Sequence, residues 1–144
     1  MFNSINIRQE IADKLKTAFN NVGGYQPLVY CVTLPTSKEG NDELEKEAKS
    51  RADNGVIYIG RGPIAFNDEI GGIYTCMHLF NILIFSNDKN SDKLINNLFD
   101  ITFDTLHTEY KIYNIQPPLD IIGYKSGLMM AYLQIYKEPY IIGN

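Results

Sequence analysis

Ile73–Phe85, IYTCMHLFNILIF, contains no glycine, no proline and none of Asp, Glu, Lys or Arg, with His78 as its one basic ring. Isoleucine, leucine, tyrosine and phenylalanine dominate it, a composition that suits an extended strand packed on its neighbours. Side chains alternate along a strand, so Ile73, Thr75, Met77, Leu79, Asn81, Leu83 and Phe85 share one face. Tyr74, Cys76, His78, Phe80, Ile82 and Ile84 share the other. Both sets are largely apolar. The strand is therefore expected to be covered twice, by a helix on one side and a partner subunit on the other.

Working outward, Asp68–Gly72 reads as the turn before this strand, and Gly55–Arg61, GVIYIGR, as a preceding strand closed by Gly62-Pro63. Upstream, Leu28–Leu34 is a short strand between Pro27 and Pro35, and Ile5–Phe19 an amphipathic helix with Ile7, Ile11, Leu15 and Ala18 or Phe19 on one stripe. Asn3 or Ser4 is placed to cap that helix, and Gly23-Gly24 to end it. Downstream, SNDKNS (86–91) is a turn, and Asp92–His107 is a second amphipathic helix with Leu94, Ile95, Leu98, Phe99, Phe103 and Leu106 on its apolar face. Glu109–Ile115 is ambiguous between strand and linker. Pro117-Pro118 introduces a strand at Leu119–Tyr124, Lys125-Ser126-Gly127 a hairpin turn, and Leu128–Tyr136 the closing strand.

In the most polar stretch, Thr36–Asn54, a helix around Asp42–Arg51 would have only Leu44 and Ala48 to bury. Glu39, Glu43 and Glu47 recur every fourth residue, with Lys46, Lys49 and Arg51 among them. It reads equally as a solvated helix around Asp42–Arg51 or as a mobile loop that orders on assembly. The expected architecture is α+β. It is one domain spanning residues 1–144, mainly an antiparallel sheet with two amphipathic helices on one face and a charged insertion at about 36–54.

The 144 residues suffice for one core and are few for two. A formal charge of −4, from 13 basic and 17 acidic side chains, argues against sequence-specific nucleic-acid binding as a main task. Cys31 and Cys76 lie in apolar runs, where a free thiol serves as a small hydrophobe, and they form no C-x-x-C motif. Charges at Arg8, Glu10, Asp13, Lys14 and Lys16 speak against an opening secretory signal, and no long uncharged apolar segment suggests a bilayer span. The expected setting is a reducing cytoplasm.

Chemistry is sparse. GRGP lacks the rest of a phosphate loop, and Pro63 removes a donor that an anion would need. His78 is read as a core or interface residue and His107 as a partner for the last carbonyls of its helix. Asp100 and Asp104 share a helical face, read as solvated, and Asp68-Glu69 resembles no calcium loop. No catalytic cluster, metal site, cofactor site or small-molecule substrate is expected, and the chain is read as a non-enzyme. What remains is surface. Ten tyrosines are present, and Tyr110, Tyr113, Tyr124, Tyr132, Tyr136 and Tyr140 crowd the C-terminal third of a domain whose sheet has edges to cover or pair.

The order of a leading helix, the strand and turn HLFNILIFSNDK (78–89), the helix LINNLFDITFDTLH (94–107) and the closing pair IIGYKSGLMMAYLQIYKEPY (121–140) resembles the tail-completion or tail-terminator proteins of tailed phages and phage-like contractile particles, including the Mu-type tail-completion group. The likeness covers the chain outside residues 36–54 and rests on pattern, without an invariant motif. It implies an α+β subunit forming a homo-oligomeric ring, typically a hexamer, that caps the tail tube and meets the head or neck. Its partners would be tube, sheath or neck proteins, and it would end in the virion or particle tail. No catalytic residues carry over.

On this reading the subunit interface is expected at Tyr74, His78, Tyr124, Tyr132, Tyr136 and Tyr140. Lumen or neighbouring-ring contacts are expected at Glu39, Glu43, Glu47, Lys49 and Arg51. A head–tail connector or tail tube subunit is the first alternative, and a monomeric cellular protein-binding adaptor the second.

Overall fold

The computed structural model describes residues 4–87, 91–121, 128–137 and 140–142, with residues 4, 68–70, 91, 116–121 and 140–142 described by backbone alone. The elements follow in the order α1 (Ser4–Val22), β1 (Leu28–Cys31), α2 (Lys38–Arg51), β2 (Val56–Ile70), β3 (Ile73–Asn87), α3 (Ser91–Leu106), β4 (Lys111–Ile121), β5 (Leu128–Tyr136) and β6 (Tyr140–Ile142). The fold is α+β, built on a sheet of order β1-β2-β3-β5-β4, with β6 joining β3 where β5 has ended. Every pairing is antiparallel except that of β1 with β2.

The strand Ile73–Phe85 is the centre of this sheet, as β3. Its even-numbered face meets α1 and α3: Phe80, Ile82 and Ile84 pack with Ile11, Leu15 and Phe19 of α1 and with Ile95, Leu98 and Leu106 of α3. Burying each such side chain contributes about 1.5–3 kcal/mol, so this layer supplies most of the subunit's cohesion. Tyr110 completes it, fully buried at the start of the chain's return to the sheet.

The opposite face is covered by an element of the same chain, where a partner subunit had been expected. The charged insertion is a helix, α2, capped by Ser37, whose hydroxyl accepts from the Gly40 N–H at 3.0 Å. Its Leu44 and Ala48, with Ala52 just beyond its end, pack on Val56, Tyr58, Phe85 and Leu128. Arg51 lies 4.4 Å from the centroid of the Tyr30 ring, which stacks on Tyr58. The parallel β1–β2 pair explains why this segment exists. Parallel neighbours need a crossover connection of a dozen or more residues, and α2 is that crossover. The helices therefore sit on both faces of the sheet, two on one and one on the other.

Two boundaries differ from expectation. β2 does not end at Gly62-Pro63. It passes through a register shift between Arg61 and Ile64 and continues to Ile70. Proline is tolerated there because β1 pairs only as far as Ile59, so this part of β2 has no strand on its outer side among the described residues. The turn is Gly71-Gly72 alone, with φ of 42° and 86°, the positive values a tight two-residue hairpin favours.

β4, likewise, is one strand from Lys111 to Ile121. Pro117 and Pro118 fall in a second register shift, on an edge strand that can spare their donors. The expected hairpin turn at Lys125–Gly127 lies outside the described residues.

Candidate functional site

Beyond Arg61 the β2–β3 pair continues as a ribbon several of whose apolar side chains stay exposed. Ile64 opposes His78, Phe66 opposes Cys76 and Asp68 opposes Tyr74, which places Ile64, Phe66 and Tyr74 on the same face as the helix-covered core. Cys76 and His78 are buried, whereas Ile64 is 42% exposed, Phe66 54% and Tyr74 40%; Ile73, on the other face, is exposed as well. β6 pairs with this stretch of β3 through Tyr140, Ile141 and Ile142. Among the described residues the ribbon is thus paired on its β3 side and has no strand on the outer edge of β2.

The expected interface residues do not form one patch. Tyr74 lies on the exposed ribbon. Tyr132 and Tyr136 lie on the opposite face of the sheet, half-buried; the Tyr132 hydroxyl donates to Asn81 Oδ1 at 2.7 Å, and Tyr136 meets the exposed Tyr113 edge-on. Gln134 donates to the same Asn81 oxygen at 2.7 Å, giving that face a small polar network. Tyr124 lies outside the described residues. Tyr140 is described by its backbone, in β6.

His78 must be moved from the surface set to the interior. It is 3% exposed, its ring 4.6 Å from that of Phe80. Burial pushes its pKa below the ordinary 6.5, a hydrogen bond with the Gly62 backbone opposes this, and the charge of Arg61 adds to the depression. The imidazole is therefore neutral at pH 7. It forms part of the wall of a cavity of about 220 Å³, which also has Arg8 of α1 and Arg61 of β2 in its lining.

Of the residues expected at a lumen or neighbouring ring, Glu39, Glu43, Glu47 and Lys49 are exposed along α2. Arg51 also makes contacts within its own chain. It pairs with Glu47 on its own helix and covers Tyr30, so it anchors α2 to the sheet and is committed within the subunit. Lys14 bridges α1 to Glu109 at 2.8 Å, and that contact raises the lysine's pKa and lowers the carboxylate's. Asp100 and Asp104 are exposed. Among the described residues no group of three or more His, Cys, Asp or Glu is placed to hold a metal ion. No described helix is long and apolar enough to cross a membrane.

Ile64, Phe66, Arg8 and Arg61 were not singled out from the sequence as site residues. The signal was present in GVIYIGRGPIAFNDEIGG, which reads as one strand running to a Gly-Gly turn once Gly62-Pro63 is taken as a bulge. No protein-family model matches the chain, and no curated protein matches it in sequence.

Proposed function

We propose that this chain is a structural assembly subunit that closes with copies of itself into a ring, in the manner of a tail-terminator or tail-completion protein at the end of a tail tube. The observation that carries the reading is the apolar face of the ribbon, Ile64, Phe66 and Tyr74, beside a β2 edge with no strand partner among the described residues. A strand edge of this kind recruits another chain by main-chain hydrogen bonds, and neighbouring apolar side chains add the area that makes the contact specific. One patch meeting a different patch on the next copy closes into a ring when the rotation per subunit divides a full turn. The sequence likeness to tail-terminator proteins supplies the biological setting, with the tail tube and neck as partners.

Light scattering across a concentration series, with negative-stain images of any large species, tests the reading. The expected result is a discrete closed oligomer with a central hole, reduced to monomer by Phe66→Asp with the fold intact by circular dichroism. Open filaments of indefinite length would favour a tube subunit. A monomer at every concentration, unchanged when purified tail tubes are added, would overturn the assembly reading in favour of an adaptor.

A further inference from the structure

The cavity beside His78 has a chemistry of its own. Its charged lining consists of two arginines, Arg8 and Arg61, and no carboxylate among the described residues lines it, in a chain whose net charge is −4. Arg8 is fixed in place. Its Nη1 donates to the Val32 carbonyl at 2.9 Å, and the Cys31 thiol donates to the Arg8 carbonyl at 3.8 Å. One of its five N–H donors is thereby spoken for, and its buried Nε has no hydrogen-bond partner among the described residues. His78 adds a neutral ring and Thr33 a hydroxyl, and Val32, Leu34 and Ile64 form an apolar wall. Leu34 is held there by Gly60, since a Cβ on that glycine would come within 2.5 Å of Leu34 Cγ.

We propose that this cavity is a socket for a monocarboxylate bearing a short aliphatic group, either as a free acid or as the C-terminal residue of a peptide. Arg8 and Arg61 hold the carboxylate; Val32, Leu34 and Ile64 hold the aliphatic part. A planar guanidinium presents paired donors at the spacing of two carboxylate oxygens, and here one of the two is pre-set by its bond to Val32, which lowers the ordering cost of binding. A phosphate fits less well. Its doubly charged form would turn oxygens toward three aliphatic side chains and lose hydration there without replacement. The neutral His78 fits the same picture, because a carboxylate bound between the arginines offsets the Arg61 charge that the ring feels, and so favours the imidazolium. Arg8, Arg61 and His78 are the titratable groups lining the cavity from α1, β2 and β3, and the segment after β1 contributes none. This inference does not require ring formation, although Ile64 belongs to both the ribbon face and the socket.

Titration of the isotope-labelled full chain with 4-methylpentanoate, followed by NMR, tests it. Saturable shifts are expected at Arg61, Gly62 and His78, with the His78 pKa rising on binding. Arg61→Gln should weaken binding about tenfold, the value of one charge-assisted hydrogen bond. Arg8→Lys, which keeps the charge and loses the fork, should weaken it similarly, and Arg61, being exposed, can be changed without threatening the fold. Tighter binding of N-acetylleucine than of 4-methylpentanoate would identify a chain terminus as the source, and the reverse a free acid. Absence of saturable shifts, equal binding of the neutral 4-methylpentanamide, or equally tight and arginine-dependent binding of inorganic phosphate would overturn the proposal.

Discussion

β2 and β3 run together along their whole length, yet the two ends of the pair meet different surroundings. At one end Val56–Ile59 face Ile82–Phe85, enclosed by α1 and α3 on one side and α2 on the other, and these residues form the middle of both apolar clusters. At the other end Ile64–Ile70 face Ile73–His78, where Ile64, Phe66, Ile73 and Tyr74 stay exposed. The residue types are alike. What differs is the supply of amphipathic helix, which runs out before the ribbon does. Apolar content along a strand therefore does not by itself report whether the chain's own helices cover it.

Substitutions should separate the two ends by stability. Ile82→Ala, in the enclosed end and fully buried, should cost about 2–5 kcal/mol in urea unfolding. A much smaller loss would mean that the helices do not clamp this end in solution. Gly55→Ala should cost about 2–4 kcal/mol by the same measurement, because Gly55 has φ of 89° and an added Cβ would sit 2.3 Å from Leu98 Cδ1.

His78 marks the border between the ends and gives a pH test. Its pKa is lowered on folding, so the unfolded chain takes up the proton first. The stabilisation is complete above the ordinary value of 6.5 and is lost as pH falls below it, toward the folded pKa. The urea midpoint of the wild type should drop between about pH 7 and 5 more than that of His78→Gln. Parallel curves would place the ring in water.

The smallest effect belongs to the ribbon. Phe66→Ala should leave subunit stability within about 0.5 kcal/mol, as for a surface change, and native-state hydrogen exchange should show the ribbon amides opening locally while those of Phe80–Phe85 require global unfolding. Equal protection in the two ends would erase the distinction.

The central strand and the helices α1 and α3 were legible because their periodicities are strong: a run of apolar residues free of breakers in one case, apolar stripes at three- and four-residue spacing in the other. The role of α2 was hidden by its composition. Its contact with the sheet uses two small or medium side chains and one arginine guanidinium, so its pattern shows charge and little amphipathicity, and only the parallel β1–β2 pairing reveals why it crosses. Gly62-Pro63 and Pro117-Pro118 look like terminators in sequence. They behave as bulges because each lies on an outer sheet edge, a property of strand order that local sequence does not encode. The Arg8, Arg61 and His78 cavity was invisible for the same reason: its three titratable residues come from three elements and share no motif.

The Gly71-Gly72 turn also sets a timetable. Hairpins with so short a connection close in about 1–10 μs, whereas β1 must wait for its crossover and β6 for the far end of the chain. For that interval the most apolar strand of the protein is formed before β1, β5 and β6 have paired with the hairpin's edges. Crowded refolding will therefore divert chains into aggregates at this step, and slow, dilute renaturation will recover the most native subunit.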